Sequence, residues 1–439
     1  MVNRERNVKN LLFACLAVGW TGLATANPVL LITNLPPYGS ASPVGGVAIG
    51  SDPNQNAIAL FIYVPGAGWW SKPACAQPLT PLGSDGSWSA DITMGGSDQT
   101  ASRVAALLVS TNYNEACIQG SGSLPTNVFA RGLASAVVTR ATPGKRWLSF
   151  SGYDWWVKAG TGALGPGPNY FSDSNSNVWL DASGQLHLKI TNRSNQWQCA
   201  ELVSARTFGL GNYRFELNSR VDNLDPNLVL GLFTWSDDPV YANREIDVEC
   251  SRFGNPADPT CAQFVVQPYN LPGHLTRYSV PVALTNSTHL FIWESNRIRF
   301  ESQRNGYSAN PIAGNVISTW DYSLSTPQPG DENVRLNFWL MNGLPPTNGR
   351  EAEIVIKSFQ FAPLGASAPA SLTNSALFQS GAFYFQLETQ PDRRYEVQET
   401  SNLRDWITVD TILATNTVAD FSEYFSGGQN RFFRAITLP

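Results

Sequence analysis

Apolar and polar residues alternate in short runs along nearly the whole chain, and Gly, Pro, Asn, Asp and Ser interrupt those runs. Alternation with a period of two marks strands with one face buried. Ala57-Ile58-Ala59-Leu60-Phe61-Ile62-Tyr63-Val64 and Val104-Ala105-Ala106-Leu107-Leu108-Val109 are such runs, with turns like Ser84-Asp85-Gly86-Ser87 between them. No amphipathic helix longer than a few turns is readable. The pattern predicts an all-β protein of sandwich or jelly-roll type.

A chain of 439 residues exceeds one ordinary core, and its length predicts about two to four domains. Composition breaks at Thr142-Pro143-Gly144 and at Pro363-Leu364-Gly365-Ala366-Ser367-Ala368-Pro369-Ala370 read as linkers. They divide the chain into an N-terminal β domain (27–142), a large central unit (145–363) and a small C-terminal β domain (371–439). In the last, Tyr395, Trp406 and Phe432-Phe433 are expected core aromatics.

Charge narrows the partner. Only 14% of residues are charged, 11% are aromatic, and the formal net charge is −5. No basic stripe exists along which a phosphate backbone could lie, which excludes nucleic acid and favours a neutral ligand such as a glycan. Residues 1–26 read as an export signal: Arg4, Arg6 and Lys9, an apolar stretch from Leu11 to Leu23, and Ala24-Thr25-Ala26 before Asn27. That stretch is too short and too interrupted to span a bilayer. Lipidation at Cys15 is the rival reading, but Cys15 lies inside the apolar stretch and Phe13 is bulky for a lipobox. A secreted, periplasmic or cell-surface protein without a membrane span is expected.

Export permits disulfides. Cys75 with Cys117 and Cys250 with Cys261 would close two loops and leave Cys199 as a buried thiol; all five remaining reduced is the alternative. No pair has CxxC spacing, and His187, His274 and His289 each sit beside apolar residues as structural histidines do. No catalytic metal centre or other cofactor is expected.

One segment carries chemistry. In Glu245-Ile246-Asp247-Val248-Glu249 three carboxylates alternate with apolar residues, so a strand would place them on one face. The outer Cα atoms would stand roughly 13 Å apart. A retaining glycosidase needs carboxyl groups about 5–5.5 Å apart, which side chains leaning together over a concave face could supply. Crowded carboxylates cannot all ionise freely, so one keeps a proton beside an ionised neighbour. The bland reading is a solvated acidic strand face. Scarcity of charge elsewhere and Trp235, a platform for a sugar ring just upstream, favour the chemical one.

These residues resemble the signature strand of glycoside hydrolase family 16. Cys199-Ala200-Glu201-Leu202, Thr207 to Phe215, Leu336-Asn337-Phe338-Trp339-Leu340-Met341-Asn342-Gly343 and Glu353 to Phe359 are similar to the family's flanking strands in order and spacing. The resemblance covers about residues 145–363. It implies a concanavalin-A-like jelly roll and a retaining mechanism, with Glu245 as nucleophile, Asp247 as assisting carboxylate and Glu249 as general acid/base. Trp235, Trp339, Gln263, Tyr269 and Asn337 would contact a β-linked polysaccharide. The uninterrupted Glu-x-Asp-x-Glu spacing is nearer to lichenases and xyloglucan-active members than to laminarinase-like or agarase-like ones. By family analogy a structural calcium would sit on the convex sheet, though no ligand set for it is readable. The strand Ala262 to Tyr269 departs from the family, offering only Gln263, Gln267 and Tyr269.

Elsewhere, Gly165-Pro166-Gly167-Pro168-Asn169-Tyr170-Phe171 reads as a tight turn, with a cleft-rim loop as the minority alternative. Trp69-Trp70 is either a sugar-stacking pair or a packed turn, and Trp293 is a cleft or a core residue, its size favouring the core. The C-terminal unit resembles fibronectin-III-like modules. The expected molecule is a monomeric retaining endo-glycosidase. A lectin-like protein without catalysis is the alternative, and a structural surface protein is the third reading.

Overall fold

The computed structural model describes residues 28–114, 117–309 and 311–364, with residues 377–379, 382–389, 394–400, 407–414, 418–424 and 431–437 of the C-terminal unit. The export segment with Cys15, most of the second linker and Trp406 lie outside the described residues. Among the described residues no helix is long and apolar enough to cross a membrane.

The central unit is a concanavalin-A-like jelly roll of two antiparallel sheets. The front sheet runs Trp147–Phe150, Tyr153–Val157, Gln196–Ser204, Asn333–Leu340, Leu228–Trp235, Ile246–Cys250, Ala262–Val266, Leu275–Tyr278. The back sheet runs Val178–Leu180, Leu186–Arg193, Ala352–Pro363, Gly211–Leu217, Ser287–Trp293, Ile298–Arg304, Val316–Tyr322. Successive segments switch repeatedly between the sheets, which join where Thr191–Arg193 pairs with Gln196–Gln198.

Alternation decides which side chains fill the space between the sheets. From the front sheet come Leu228, Leu230, Leu232, Ile246, Val248, Phe264, Leu336 and Phe338; from the back come Leu188, Phe215, Phe291, Phe300, Ile354 and Phe359, all in one cluster. Phe359 is fully buried and meets the rings of Tyr153, Trp155, Phe208 and Phe215 at centroid distances of 5.6, 5.5, 5.4 and 5.2 Å. Rings enclosed this way stabilise a core by about 3–5 kcal/mol relative to Ala. Trp293 belongs to this core, fully buried, with its indole N–H donating to the Pro327 carbonyl. The other residues of each front-sheet strand face outward, and there the carboxylates lie.

The N-terminal unit pairs a three-stranded sheet (Val29–Asn34, Val44–Ile49, Ser87–Ala90) with a six-stranded one centred on Asn56–Val64 and Arg103–Ser110. Both faces of the Asn56–Val64 strand are covered, Ile58, Leu60 and Ile62 on one side and Ala59 and Phe61 on the other. Trp69 is fully buried in the second cluster, and Trp70 packs half-buried on the first with its N–H on the Ala67 carbonyl. The two lie on the strand Gly68–Lys72, which pairs with Asn56–Val64, so Trp69 is a core residue and only Trp70 keeps an exposed edge. The C-terminal unit has two three-stranded sheets around Phe385, Leu387, Val397 and Phe421, with Tyr395 buried and Phe433 half-buried.

Cys75 and Cys117 form a disulfide. Cys250 and Cys261 are both buried free thiols, as is Cys199. The ladder explains the unmade second bridge: Cys250 lies opposite Ala262, and Cys261 is one residue out of register with it.

The N-terminal unit docks on the jelly roll. Thr139 N–H donates to the Ala205 carbonyl (2.6 Å) and Thr207 N–H to the Val137 carbonyl (2.9 Å), and Tyr241 of the central unit enters the N-terminal cluster beside Phe129.

Candidate active site on the front sheet

Ladder register assembles the site. Glu249 lies opposite Gln263 on one side and Gly231 on the other; Gly231 lies opposite Asn337, and Asn337 opposite Glu201. Directly opposed residues share a face, so these five form one row across the sheet. The next row is Val265, Asp247, Phe233, Arg335 and Val203. Register is continuous over Asp247–Cys250 on both sides, so the strand is regular and Asp247 and Glu249 project together from the outer face.

Glu245 stands just before the strand and is held by backbone. Thr234, buried, accepts from the Ile246 N–H (3.1 Å) and donates to the Arg244 carbonyl (2.9 Å). From the other side Gln267 N–H donates to the Glu245 carbonyl (3.1 Å). These bonds bracket Glu245 and extend its strand geometry by one residue.

Each carboxylate has its own environment. Burial pushes the Glu245 carboxyl up to about 8, opposed by a hydrogen bond from Asp247 and reinforced by the Glu249 charge. Asp247 is raised well above the usual carboxylate range by burial and by the charges of Glu245 and Glu249. The two carboxyls share a proton through the hydrogen bond between them and titrate as a pair. Gln267 Nε2 donates to Asp247 Oδ2 (3.2 Å), and Tyr269 N–H holds Gln267 Oε1 (2.9 Å). Burial lifts Glu249 to about 7, offset by the hydrogen bond from Gln263 and the charge of Arg277. Gln263 Nε2 lies 2.7 Å from Glu249 Oε2, and Arg277, paired with Asp258 (2.7 Å), fixes Gln263 through Nη1 on its Oε1 (3.0 Å).

Five residues expected at substrate stand as follows. Gln263 touches Glu249. Asn337 is buried, its Nδ2 on Glu201 (3.4 Å), its Oδ1 where a Cβ on Gly231 would come within 2.4 Å. Trp235 and Trp339 are half-buried on the same face, Trp235 beyond Phe233 towards Glu245 and Trp339 beyond Asn337 past Glu249. The two indoles thus bound the carboxylate rows at opposite ends. Tyr269 is 63% exposed, and only its backbone reaches the site, through Gln267. His274 is buried on the Val266 carbonyl (3.0 Å), and Asn169 secures its own turn through the Pro166 and Leu340 carbonyls.

An ionic group beside the carboxylates was not foreseen. Glu201, fully buried, pairs with Arg335 (3.1 Å) and Lys158 (2.9 Å), and Arg335 reaches Asp237 (2.7 Å). Arg335 shares its strand face with Asn337 and Trp339, a period-two signal present in the sequence. Among the described residues no cluster of three or more His, Cys, Asp or Glu is arranged to hold a metal ion, and no residues are assigned to a calcium.

Fold and site together define a jelly-roll protein with a carboxylate stripe on its front sheet, buried at Asp247 and half-buried at Glu245 and Glu249. No protein-family model matches the chain, and no curated protein matches it. Solved structures resemble its jelly-roll half. A Bacillus licheniformis β-glucanase is 20% identical, over 50% of this chain and 99% of the other, with a TM-score of 0.38. A β-1,3-1,4-glucanase (lichenase) from a mouse hindgut metagenome is 20% identical over 50% and 99%, with a TM-score of 0.37. A Mycobacterium tuberculosis immunostimulatory antigen described as a pseudo β-1,3-glucanase is 18% identical over 50% and 91%, with a TM-score of 0.37.

Proposed function

We propose that the protein is an exported retaining endo-glycosidase acting on a β-linked, neutral polysaccharide of the β-glucan kind. The observation that carries this reading is the environment of the stripe: three carboxylates on one strand face, Asp247 buried and Glu245 and Glu249 half-buried, each held by a different hydrogen-bond partner. A solvated acidic face would need neither burial nor partners.

In the reaction, Glu245 as carboxylate attacks the anomeric carbon while Glu249 gives its proton to the departing glycosidic oxygen. The C–O bond to the leaving sugar breaks as the bond to Glu245 forms. Glu249, now the anion, takes a proton from water, and the resulting hydroxide displaces Glu245 with net retention. Asp247 stabilises the anionic Glu245 through its hydrogen bond, and Gln263 with Arg277 fixes the rotamer of Glu249. Trp235 and Trp339 supply apolar faces to sugar rings on either side.

The test is release of new reducing ends from β-glucans, xyloglucan and algal galactans by the purified protein. Release from one glycan supports the enzyme. Binding to a glycan with no release would transfer the site to the lectin-like reading, with the carboxylates as acceptors for sugar hydroxyls.

A further inference from the structure

A cation stands beside the carboxylate stripe and has no part in the chemistry described so far. Arg335 lies in the row of Asp247 on the outer face of the front sheet, with Phe233 between them. It is 4% exposed. Its guanidinium is held from two sides: Nη1 lies 3.1 Å from Glu201 Oε1, and Nη2 lies 2.7 Å from Asp237 Oδ1. Glu201 belongs to the row of Glu249. Asp237 follows Trp235, at the Glu245 end of the face, in the loop that leads into Glu245. The guanidinium therefore reaches from the Glu249 row to the approach to Glu245.

Stability alone does not account for this arrangement. A buried ion pair costs about as much in desolvation as it recovers, and a well-packed apolar side chain would stabilise the fold equally well. Lys158, 2.9 Å from Glu201, already gives that carboxylate a partner. What Arg335 adds is a fixed positive charge beside crowded acids. Glu245 is faced by Asp247 and Glu249 from its own strand, by Glu201 from Gln196–Ser204 and by Arg335 from Asn333–Leu340. The charges of Glu249 and Glu201 disfavour an anionic Glu245, and that of Arg335 favours it. Lys145 is a further cation near Arg335, and Lys158 and Arg103 are further cations near Asp237. Asp237 is thus the anion that tempers a basic group. At the other end of the stripe Arg277, anchored on Asp258, acts in the same way on Glu249.

We infer that Arg335 is a positioning residue for the nucleophile: held between Glu201 and Asp237, it draws the negative charge of the Glu245–Asp247 pair onto Glu245. The inference rests on the proposed retaining mechanism and adds a residue to it. Arg335 is buried and acts through Glu245, not on the sugar. Its exposed partner Asp237 sets how much of the positive charge Glu245 feels.

The test is the pH dependence of kcat/KM for reducing-end release by the full chain. The substrate is mixed-linkage β-glucan, xyloglucan or algal galactan, whichever the wild type cleaves. The acid limb of the profile reports ionisation of the nucleophile in the free enzyme. Arg335→Met removes the cation and should move that limb up by about half a pH unit or more. Asp237→Asn, at a side chain 61% exposed, leaves the cation uncompensated and should move the limb down. Arg335→Lys keeps the charge without the two-pronged grip, and its limb should lie nearer to the wild type than that of Arg335→Met. Shifts of opposite sign mark an electrostatic role, whereas a structural tie would lower activity in every variant without moving the limb. Asp237→Asn carries the test if Arg335→Met does not fold. A limb that Asp237→Asn leaves in place or moves up, or that a folded Arg335→Met leaves in place, overturns the inference while the glycosidase reading stands. No release by the wild type from any of the three glycans overturns both.

Discussion

At the scale of single residues, the stripe is a set of partly to fully buried acids whose pKa values in the native state exceed those of the unfolded chain. The native protein therefore binds more protons between the two sets of values, and its stability falls as pH rises. The contribution is complete below about pH 4 and is lost as pH climbs through the range set by Glu249, near 7, and Glu245, near 8. Denaturant midpoints measured from pH 4 to 9 should fall across that window, and Asp247→Asn should flatten the slope. A midpoint independent of pH in the wild type would mean that the carboxylates are solvated. The identity of these residues was legible in the sequence because alternation alone puts three acids on one face. Their burial was not, because it depends on Phe233, Val265 and Gln263 arriving from strands whose register no local pattern fixes.

At the scale of elements, the site depends on how neighbouring strands meet. Gly231 is required opposite Glu249 because Asn337 leans over it. Gly231→Ala should push Asn337 off Glu201 and destabilise the protein by about 1–3 kcal/mol, read from urea unfolding, with activity reduced in the same variant. Thr234→Val removes the hydroxyl that bridges Arg244 and Ile246. It should cost about 1–3 kcal/mol and lower kcat more than it changes KM, because Glu245 loses its alignment; a change in KM alone would contradict that positioning role. Sequence reading named Asn337 and Trp339 as substrate contacts and passed over Arg335, which shares their strand face. Glu201 was hidden for a different reason. It sits in the nearly continuous buried run Cys199–Ser204, and its partners Arg335 and Asn337 are more than 130 residues away in the chain. Trp69 shows the converse limit, since an aromatic pair beside a Gly-rich turn has the same pattern whether it stacks on sugar or fills a core.

At the scale of the whole molecule, the jelly roll was readable because strand-length alternation recurs throughout the central unit and helical periodicity is missing from it. The association between units was not readable. Tyr241 occupies a loop of the central unit yet packs in the N-terminal core, and only the folded chain brings it to Leu124 and Phe129. The segment between Trp235 and Glu245 is thus anchored in a second domain, which ties the geometry at Glu245 to the integrity of the N-terminal unit. The most direct measurement is reducing-end release from the glycan panel by wild type beside Glu245→Gln, a nearly isosteric change. Release by the wild type, reduced about 10³-fold or more in Glu245→Gln with the unfolding midpoint maintained, is the predicted result. Equal release by both proteins would contradict Glu245 as the nucleophile and, with it, the retaining mechanism on this strand.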